Sequence, residues 1–78
     1  MDQELQYKGY TIKATPNLLS ETNRWSIEIM ISKDRPGGAV DQQFDAGQTC
    51  PTEQEAVSHC LIFGRQIIDG KHPNLRAP

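Results

Sequence analysis

The sequence predicts a single α+β domain, in which a three-stranded antiparallel β-meander is followed by one C-terminal α-helix packed on one face of the sheet. Three observations predict this β-β-β-α arrangement. Apolar residues recur at helical spacing between Pro51 and Gly70, and they alternate with polar residues from Trp25 to Ser32. The connections between these segments are short, which favours antiparallel neighbours.

The first strand is predicted just before Pro16, which ends it because proline cannot donate to a sheet ladder. Residues 1–6 are polar and are predicted to be a flexible end, so the ordered core is expected over about residues 7–70. Residues 16–23 are expected to form a polar connection. The apolar positions that alternate along the first strand are Tyr10, Ile12 and Ala14.

The central strand has the clearest two-residue period in the chain. Residues 33–38 follow it as a turn rich in proline and glycine, and a third strand is predicted over about residues 40–48. In the central strand, Trp25, Ile27, Ile29 and Ile31 alternate with Ser26, Glu28, Met30 and Ser32. The sheet face away from the helix is predicted to carry Thr11, Lys13, Thr15, Ser26, Glu28, Met30, Gln43 and Asp45.

Both ends of the helix are predicted from local signals. Thr52 and Glu55 have the spacing of a capping box, and Gly70 followed by Pro73 is typical of a helix end. The tail, residues 71–78, is predicted to be flexible. One arc of the helix is apolar and is expected to be buried: Phe63, Ala56, Ile67, Cys60, Gly64, Val57, Ile68 and Leu61.

The centre of the apolar arc carries small residues. Ala56, Cys60 and Gly64 stand four apart, so they line up as a narrow groove along one side of the helix. A groove of this kind brings the helix close to the sheet and accepts a bulky side chain. We expect Trp25 or Phe44 to fill it.

Composition limits the range of functions. The chain has 78 residues, 36% of them hydrophobic and 23% charged, with a formal net charge of −2. A domain of this size leaves little room for an active-site cleft. The sequence begins with neither a basic segment nor an apolar run, and no stretch approaches the ~20 apolar residues of a membrane span. We therefore predict a cytoplasmic domain, without membrane association, whose two cysteines are reduced.

Metal binding and thiol catalysis are both disfavoured by spacing. Cys50, His59, Cys60 and His72 lack the tight pairs that open a structural zinc site, and adjacent helix residues diverge by about 100°. A reactive thiol needs exposure and an oriented base, whereas Cys60 lies inside the apolar arc. We predict no catalytic residue, no metal and no cofactor.

Nucleic-acid binding is the alternative function that the predicted topology suggests. Three strands followed by a helix resemble the later part of a double-stranded-RNA-binding domain. That module has lysines at the start of its last helix, where this chain has Glu53 and Glu55, and the net charge argues against an extended basic surface. The residues that would contact an anion or nucleic acid are Arg65, Lys71, His72 and Arg76.

Protein association is the function that we favour from the sequence. Ile62 lies on the polar side of the helix, Phe63 lies at the border of the apolar arc, and Met30 is predicted on the open face of the sheet. Exposed apolar residues of this kind anchor protein interfaces. The prediction is a non-catalytic protein-interaction or regulatory accessory domain whose partner is another protein or a second copy of the chain.

Several short motifs resemble known bacterial proteins. They are Tyr7-Lys8-Gly9-Tyr10-x-Ile12, the Trp25 strand, Phe44, Thr52-x-x-Glu55-Ala56 and Gly64-Arg65-x-Ile67-Ile68-Asp69-Gly70. Over residues 7–70 the chain resembles a group of small bacterial β-β-β-α proteins of largely unassigned function, with weaker similarity to the haemolysin-regulator-type (HlyU) family. The resemblance implies the fold and a bacterial origin, and it transfers no functional residue.

Overall fold

The computed structural model describes residues 3–78 and contains an antiparallel sheet and one C-terminal helix. The strands are β1 (Gln3–Tyr7), β2 (Tyr10–Ala14), β3 (Leu18–Leu19), β4 (Arg24–Arg35) and β5 (Gly38–Cys50), and the helix is α1 (Glu53–Ile68). The predicted α+β class is confirmed. The three predicted strands correspond to β2, β4 and β5, which pair antiparallel in that order, but the described residues form five strands, so a sheet of only three strands is not confirmed. No helix within residues 3–78 is long and apolar enough to cross a membrane.

The strand that precedes the predicted sheet is β1, which pairs antiparallel with β2. The two strands are joined by Lys8 and Gly9, whose φ angles of 51° and 84° suit a tight two-residue hairpin turn. Leu5 and Tyr7 are half-buried, and the other residues of β1 are exposed. Leu5 and Tyr7 pack against the core, but two apolar residues among five give only a weak strand signal in the sequence. The first two residues of the predicted flexible end lie outside the described part of the chain.

The second additional strand is β3, which pairs with the first residues of β4 at Trp25 and Arg24. It lies along the same side of β4 as β2, because β5 pairs with the opposite side of Trp25 through Cys50. The order across the sheet is therefore β1, then β2 and β3 end to end, then β4, then β5. Both β1 and β5 are edge strands.

The core lies between α1 and the sheet, with α1 mainly over β2 and β4. Thr52 precedes the helix in an extended conformation, and its side chain accepts a hydrogen bond from the Glu55 N–H at 3.2 Å. At the other end Gly70 has a φ of 77°, which ends the helix where the sequence predicts. The buried apolar residues are Ile12, Ala14, Ile27, Ile29, Ile31, Phe44, Cys50, Ala56, Cys60, Phe63 and Ile67.

The groove of small residues on α1 faces the sheet, and Ile12 of β2 fills it. A Cβ atom added to Gly64 would lie 2.5 Å from Ile12 Cγ2. The expectation that Trp25 or Phe44 fills this groove is wrong at Gly64. The reason is the position of the helix: β2 and β4 lie beneath it, whereas Phe44 is on the edge strand β5 and Trp25 is near the start of β4.

The β4–β5 hairpin gives the molecule an elongated shape. The principal extents are 42 × 28 × 17 Å and the radius of gyration is 12.6 Å, against about 11.5 Å for a typical compact domain of this length. Residues 34–43 are exposed around the hairpin tip.

The pairing of β5 with β4 is regular from Gly38 to Asp45, and its register shifts between Ser26 and Glu28 of β4. Gly47 lies opposite this shift, with a φ of 72°, and its N–H donates to Asp45 Oδ1 at 2.8 Å.

Candidate functional site

The three apolar residues predicted to form an interface differ in exposure. Ile62 has 49% of its surface exposed, whereas Phe63 has 8%. Met30 is half-buried on the sheet face away from the helix. The tail explains the burial of Phe63, because the His72 ring packs edge-on against the Phe63 ring with centroids 5.2 Å apart. Phe63 therefore presents little surface to a partner. Ile62 is the large apolar side chain that α1 exposes.

Ile62 borders a shallow groove between α1 and β5. The groove has a volume of about 190 Å³. Ala46 and Phe63 are among its apolar walls, and His59 and Gln66 are among its polar ones. Gln66 Oε1 lies 3.0 Å from His72 Nε2, which fixes the tail across one end of the groove. Apolar and polar residues line the groove in equal number, and a mixed surface of this kind is typical of non-obligate protein-contact sites.

The outer edge of β5 lies beside this groove. Within residues 3–78, β5 pairs only with β4, so one side of its backbone has no sheet partner. The strand contains no proline, lysine or arginine, and its two charged residues are Asp41 and Asp45. Val40 has 40% of its surface exposed. We call the groove with Ile62 and the β5 edge the β5 surface.

The motifs that carry the family resemblance meet where the β1–β2 turn contacts the C-terminal end of α1. Lys8 Nζ lies 2.6 Å from Asp69 Oδ1, and the Tyr7 hydroxyl donates to the same carboxylate at 2.8 and 2.9 Å. The Arg65 guanidinium lies over the Tyr7 ring, 5.3 Å from its centroid. These contacts tie the β1–β2 turn to the end of α1. They explain the Tyr-Lys-Gly and Ile-Asp-Gly motifs structurally, as a contact that orients the helix on the sheet.

The Asp69 contacts predict a pH-dependent stability. Hydrogen bonds from Lys8 and Tyr7 lower the pKa of Asp69, and the same carboxylate raises the pKa of Lys8. A lowered carboxyl pKa stabilises the fold above the unfolded-state pKa, about 4, and this contribution is lost as the pH falls through the folded-state pKa. We expect Asp69→Asn to lower the urea midpoint at pH 7, and the difference from wild type to shrink below pH 4.

The matched control is Asp34→Asn, which removes an exposed carboxylate from the hairpin. It is expected to leave the urea midpoint unchanged at both pH values. Equal midpoints for wild type and Asp69→Asn at pH 7 would show that the Tyr7–Lys8–Asp69 contact does not hold the helix in place.

The four residues predicted to contact an anion or nucleic acid lie in two places. Arg65 and Lys71 line a shallow depression together with Asp69, whose negative charge lies between them and Lys8. His72 and Arg76 line a different depression, against Tyr10 and the tail. Leu75 of the tail packs on the core. The basic residues thus share their surface with a carboxylate and with apolar groups.

The open face of the sheet carries a polar network rather than a free carboxylate. Glu28 Oε2 accepts hydrogen bonds from Asn17 Nδ2 at 2.8 Å and from the Ser26 hydroxyl. These bonds lower the pKa of Glu28, the Ser26 bond having the larger effect. The Ser26 hydroxyl also accepts from the Asn17 N–H at 3.0 Å. The network fixes the connection after β2 to β4, so it explains these polar residues structurally.

Both cysteines belong to the core. Cys60 is 0% exposed and Cys50 is 5% exposed, and neither is in a disulfide. The Cys60 thiol contacts the Glu28 carbonyl oxygen at 3.3 Å, and burial raises its pKa. A buried, protonated thiol is a poor nucleophile. Within residues 3–78, no three His, Cys, Asp or Glu side chains are grouped so as to hold a metal ion.

A depression of about 730 Å³ lies between β2 and the first half of α1. Val57 and Leu61 line it, with Lys13 and Glu53 among its polar residues. The Thr15 hydroxyl at its border is buried without a hydrogen-bond partner.

Comparisons with protein-family models, with curated proteins and with solved structures find no match for this chain. The resemblance to the small bacterial proteins and to the haemolysin-regulator-type family therefore stays a prediction. Sequence reasoning found Ile62 from its position on the helical wheel. It missed the β5 edge, because strand order, and with it the identity of the edge strands, has no local signal in the sequence.

Proposed function

We propose that this chain is a non-catalytic protein-interaction or regulatory accessory domain, and that the β5 surface is its contact site. The observation that carries the proposal is the position of Ile62, whose half-exposed side chain borders a groove of mixed apolar and polar lining, beside a strand edge that has no partner within residues 3–78. Isolated exposed apolar residues are common on protein surfaces. Here the groove and the strand edge adjoin Ile62, which gives a partner both apolar contact and backbone hydrogen bonds.

The proposal includes a cytoplasmic location and a bacterial source. The two buried cysteines support a reducing compartment, since neither is paired and Cys60 packs as a small apolar side chain. Bacterial origin rests on the resemblance in sequence alone. The burial of both thiols and the structural roles of Glu28 and Asp69 support a non-catalytic function, because these residues are engaged in packing and hydrogen bonds.

The test is affinity capture with the purified chain as bait in an extract of the source cell. We expect wild type to retain a defined partner, another copy of the chain included, and Ile62→Asp to lose it. The control is Ser58→Asp, which places the same residue at an exposed position of α1 that borders other depressions. Far-UV circular dichroism checks that both variants are folded. Equal capture by wild type and Ile62→Asp would contradict the proposal.

A further inference from the structure

We infer that the partner of the β5 surface is a second copy of this chain, and that two β5 strands pair antiparallel about a two-fold axis through Gln42. This inference rests on the proposed function and names the partner. The result would be one continuous sheet of two copies with both helices on the same face. A two-fold axis perpendicular to a sheet produces this arrangement, because it makes the paired edges antiparallel and keeps equivalent faces together.

The outer edge of β5 is available for pairing. Its regular stretch, Gly38–Asp45, spans roughly 27 Å at 3.4 Å per residue. Residues 38–43 are all exposed. Natural edge strands are usually protected from pairing by lysine, proline, bulges or a covering segment. This stretch has no lysine or proline, and its bulge comes only after Asp45. Of the features that keep strands apart, this stretch has only the two carboxylates of Asp41 and Asp45.

The side chains of two β5 strands match in this register. With the axis at Gln42, Val40 lies opposite Phe44 of the second copy, and Asp41 lies opposite Gln43. Asp45 lies opposite Ala39. On the helix face two Val40–Phe44 pairs thus flank a central pair of Gln42 residues. On the other face each carboxylate lies directly opposite an amide or a methyl group. Both kinds of cross-strand contact are compatible with stable pairing.

Other registers are less favourable. An axis at Gln43 places Asp41 opposite Asp45 of the second copy, twice in each dimer, and an axis at Asp41 places that residue opposite itself. Like charges directly opposite one another destabilise a strand pair. Registers displaced further shorten the regular overlap from seven residues to five or fewer, because the ladder is regular only from Gly38 to Asp45. An axis at Gln42 is the one that avoids directly facing like charges and also keeps the seven-residue overlap.

The groove that Ile62 borders lies close to the paired strands in this register. In this register Gly38 of the second copy lies opposite Ala46, which lines the groove. The hairpin tip of the second copy, Pro36 and Gly37, would then lie beyond the end of the regular ladder, near the part of the groove that Ala46 lines. Gly37 and Gly38 have no side chains, so the backbone can approach closely. The same pairing brings the hairpin tip of each copy toward the groove of the other, as a self-complementary contact requires.

The test is the dissociation constant of the dimer, measured by sedimentation equilibrium from 1 µM to 1 mM. The expected mass at high concentration is twice that of the 8.8 kDa chain. Gln43→Glu creates two facing pairs of like charge in each dimer, and Gln43→Lys creates two facing pairs of opposite charge. We expect the first to raise the dissociation constant about fivefold or more, and the second to lower it by about threefold or more.

The controls are Gln6→Glu and Gln6→Lys, which make the same charge changes at an exposed position of the opposite edge strand. They are expected to change the dissociation constant by less than about twofold. In addition, Gln42→Cys is expected to form a disulfide-linked dimer on mild oxidation, whereas Ser58→Cys is not. Both native cysteines are buried, so they do not compete.

Three results would overturn the inference, and each leaves the proposed function to its own test. The first is a monomer at 1 mM. The second is a dimer that Ile62→Asp dissociates but whose dissociation constant neither Gln43→Glu nor Gln43→Lys changes. That result would support Ile62 as part of the contact and would exclude pairing of the two β5 strands. The third is a monomer that captures a different protein through the β5 edge, which would assign the edge to a strand of another chain.

Discussion

Replacing Gly64 with valine is expected to leave most of the protein unfolded at 25 °C. A Cβ atom at this position would lie 2.5 Å from Ile12 Cγ2, which is shorter than real Cβ contacts, and 3.0 Å from Cδ1, which is tighter than nearly all of them. Ile12 is 0% exposed, so it has no solvent into which to move. Overpacking a core costs about 1–3 kcal/mol or more. A domain of this size has only about 3–5 kcal/mol of stability.

Alanine at Gly64 separates packing from helix propensity. Alanine gains about 1 kcal/mol over glycine in a helix, so an uncrowded site would be stabilised. We expect Gly64→Ala to be destabilised instead, because the Ile12 contact outweighs the gain. Urea denaturation at pH 7, followed by Trp25 fluorescence, measures the free energy of unfolding. The control is Ser58→Val, which tests a β-branched residue at an exposed helix position.

A double-mutant cycle assigns the effect to the two residues. Ile12→Ala removes all three atoms that an added Cβ would meet, and by itself costs about 2–5 kcal/mol. In that background, Gly64→Ala is expected to be neutral or stabilising, so the two changes are not additive. A stabilised Gly64→Ala variant in the wild-type background would show that the helix does not approach β2 as closely as described.

The helix and the central strand could be predicted from the sequence, because their signals are local. Thr52 and Gly70 mark the helix ends, and the alternation from Trp25 to Ile31 marks β4. The strands β1 and β3 could not be predicted in this way. Residues 3–7 are mostly polar, and Leu18–Leu19 is only two residues long. Both are strands because of the neighbour with which they pair, which is a tertiary effect.

The candidate site was predicted only in part for the same reason. Helical periodicity places Ile62 outside the apolar arc, and this depends on the helix alone. The exposure of Phe63 depends also on the tail, since His72 packs against its ring. The choice of Ile12 as the residue facing Gly64 depends on which strand lies below the helix. Periodicity identifies a buried face, and strand order decides what that face contacts.

Phe63→Ala and Ile62→Ala are expected to change the free energy of unfolding by very different amounts, although the two residues are adjacent. Phe63 is 8% exposed within the core cluster, and truncation of a buried phenylalanine costs about 3–5 kcal/mol. That cost is comparable to the whole stability expected for a domain of this size. Ile62 is 49% exposed, so its truncation is expected to change the free energy of unfolding by only about 0.5 kcal/mol.

The comparison requires a concentration at which the chain is monomeric, because dimerisation would stabilise the folded state. Urea midpoints at about 1 µM therefore report the intrinsic effect of each change, and a second series at about 500 µM reports the effect of association. We expect wild type to become more stable at the higher concentration and Ile62→Ala to gain less. Equal destabilisation by the two substitutions at 1 µM would mean that Ile62 belongs to the core of the monomer, and the β5 surface would then lose its exposed apolar residue.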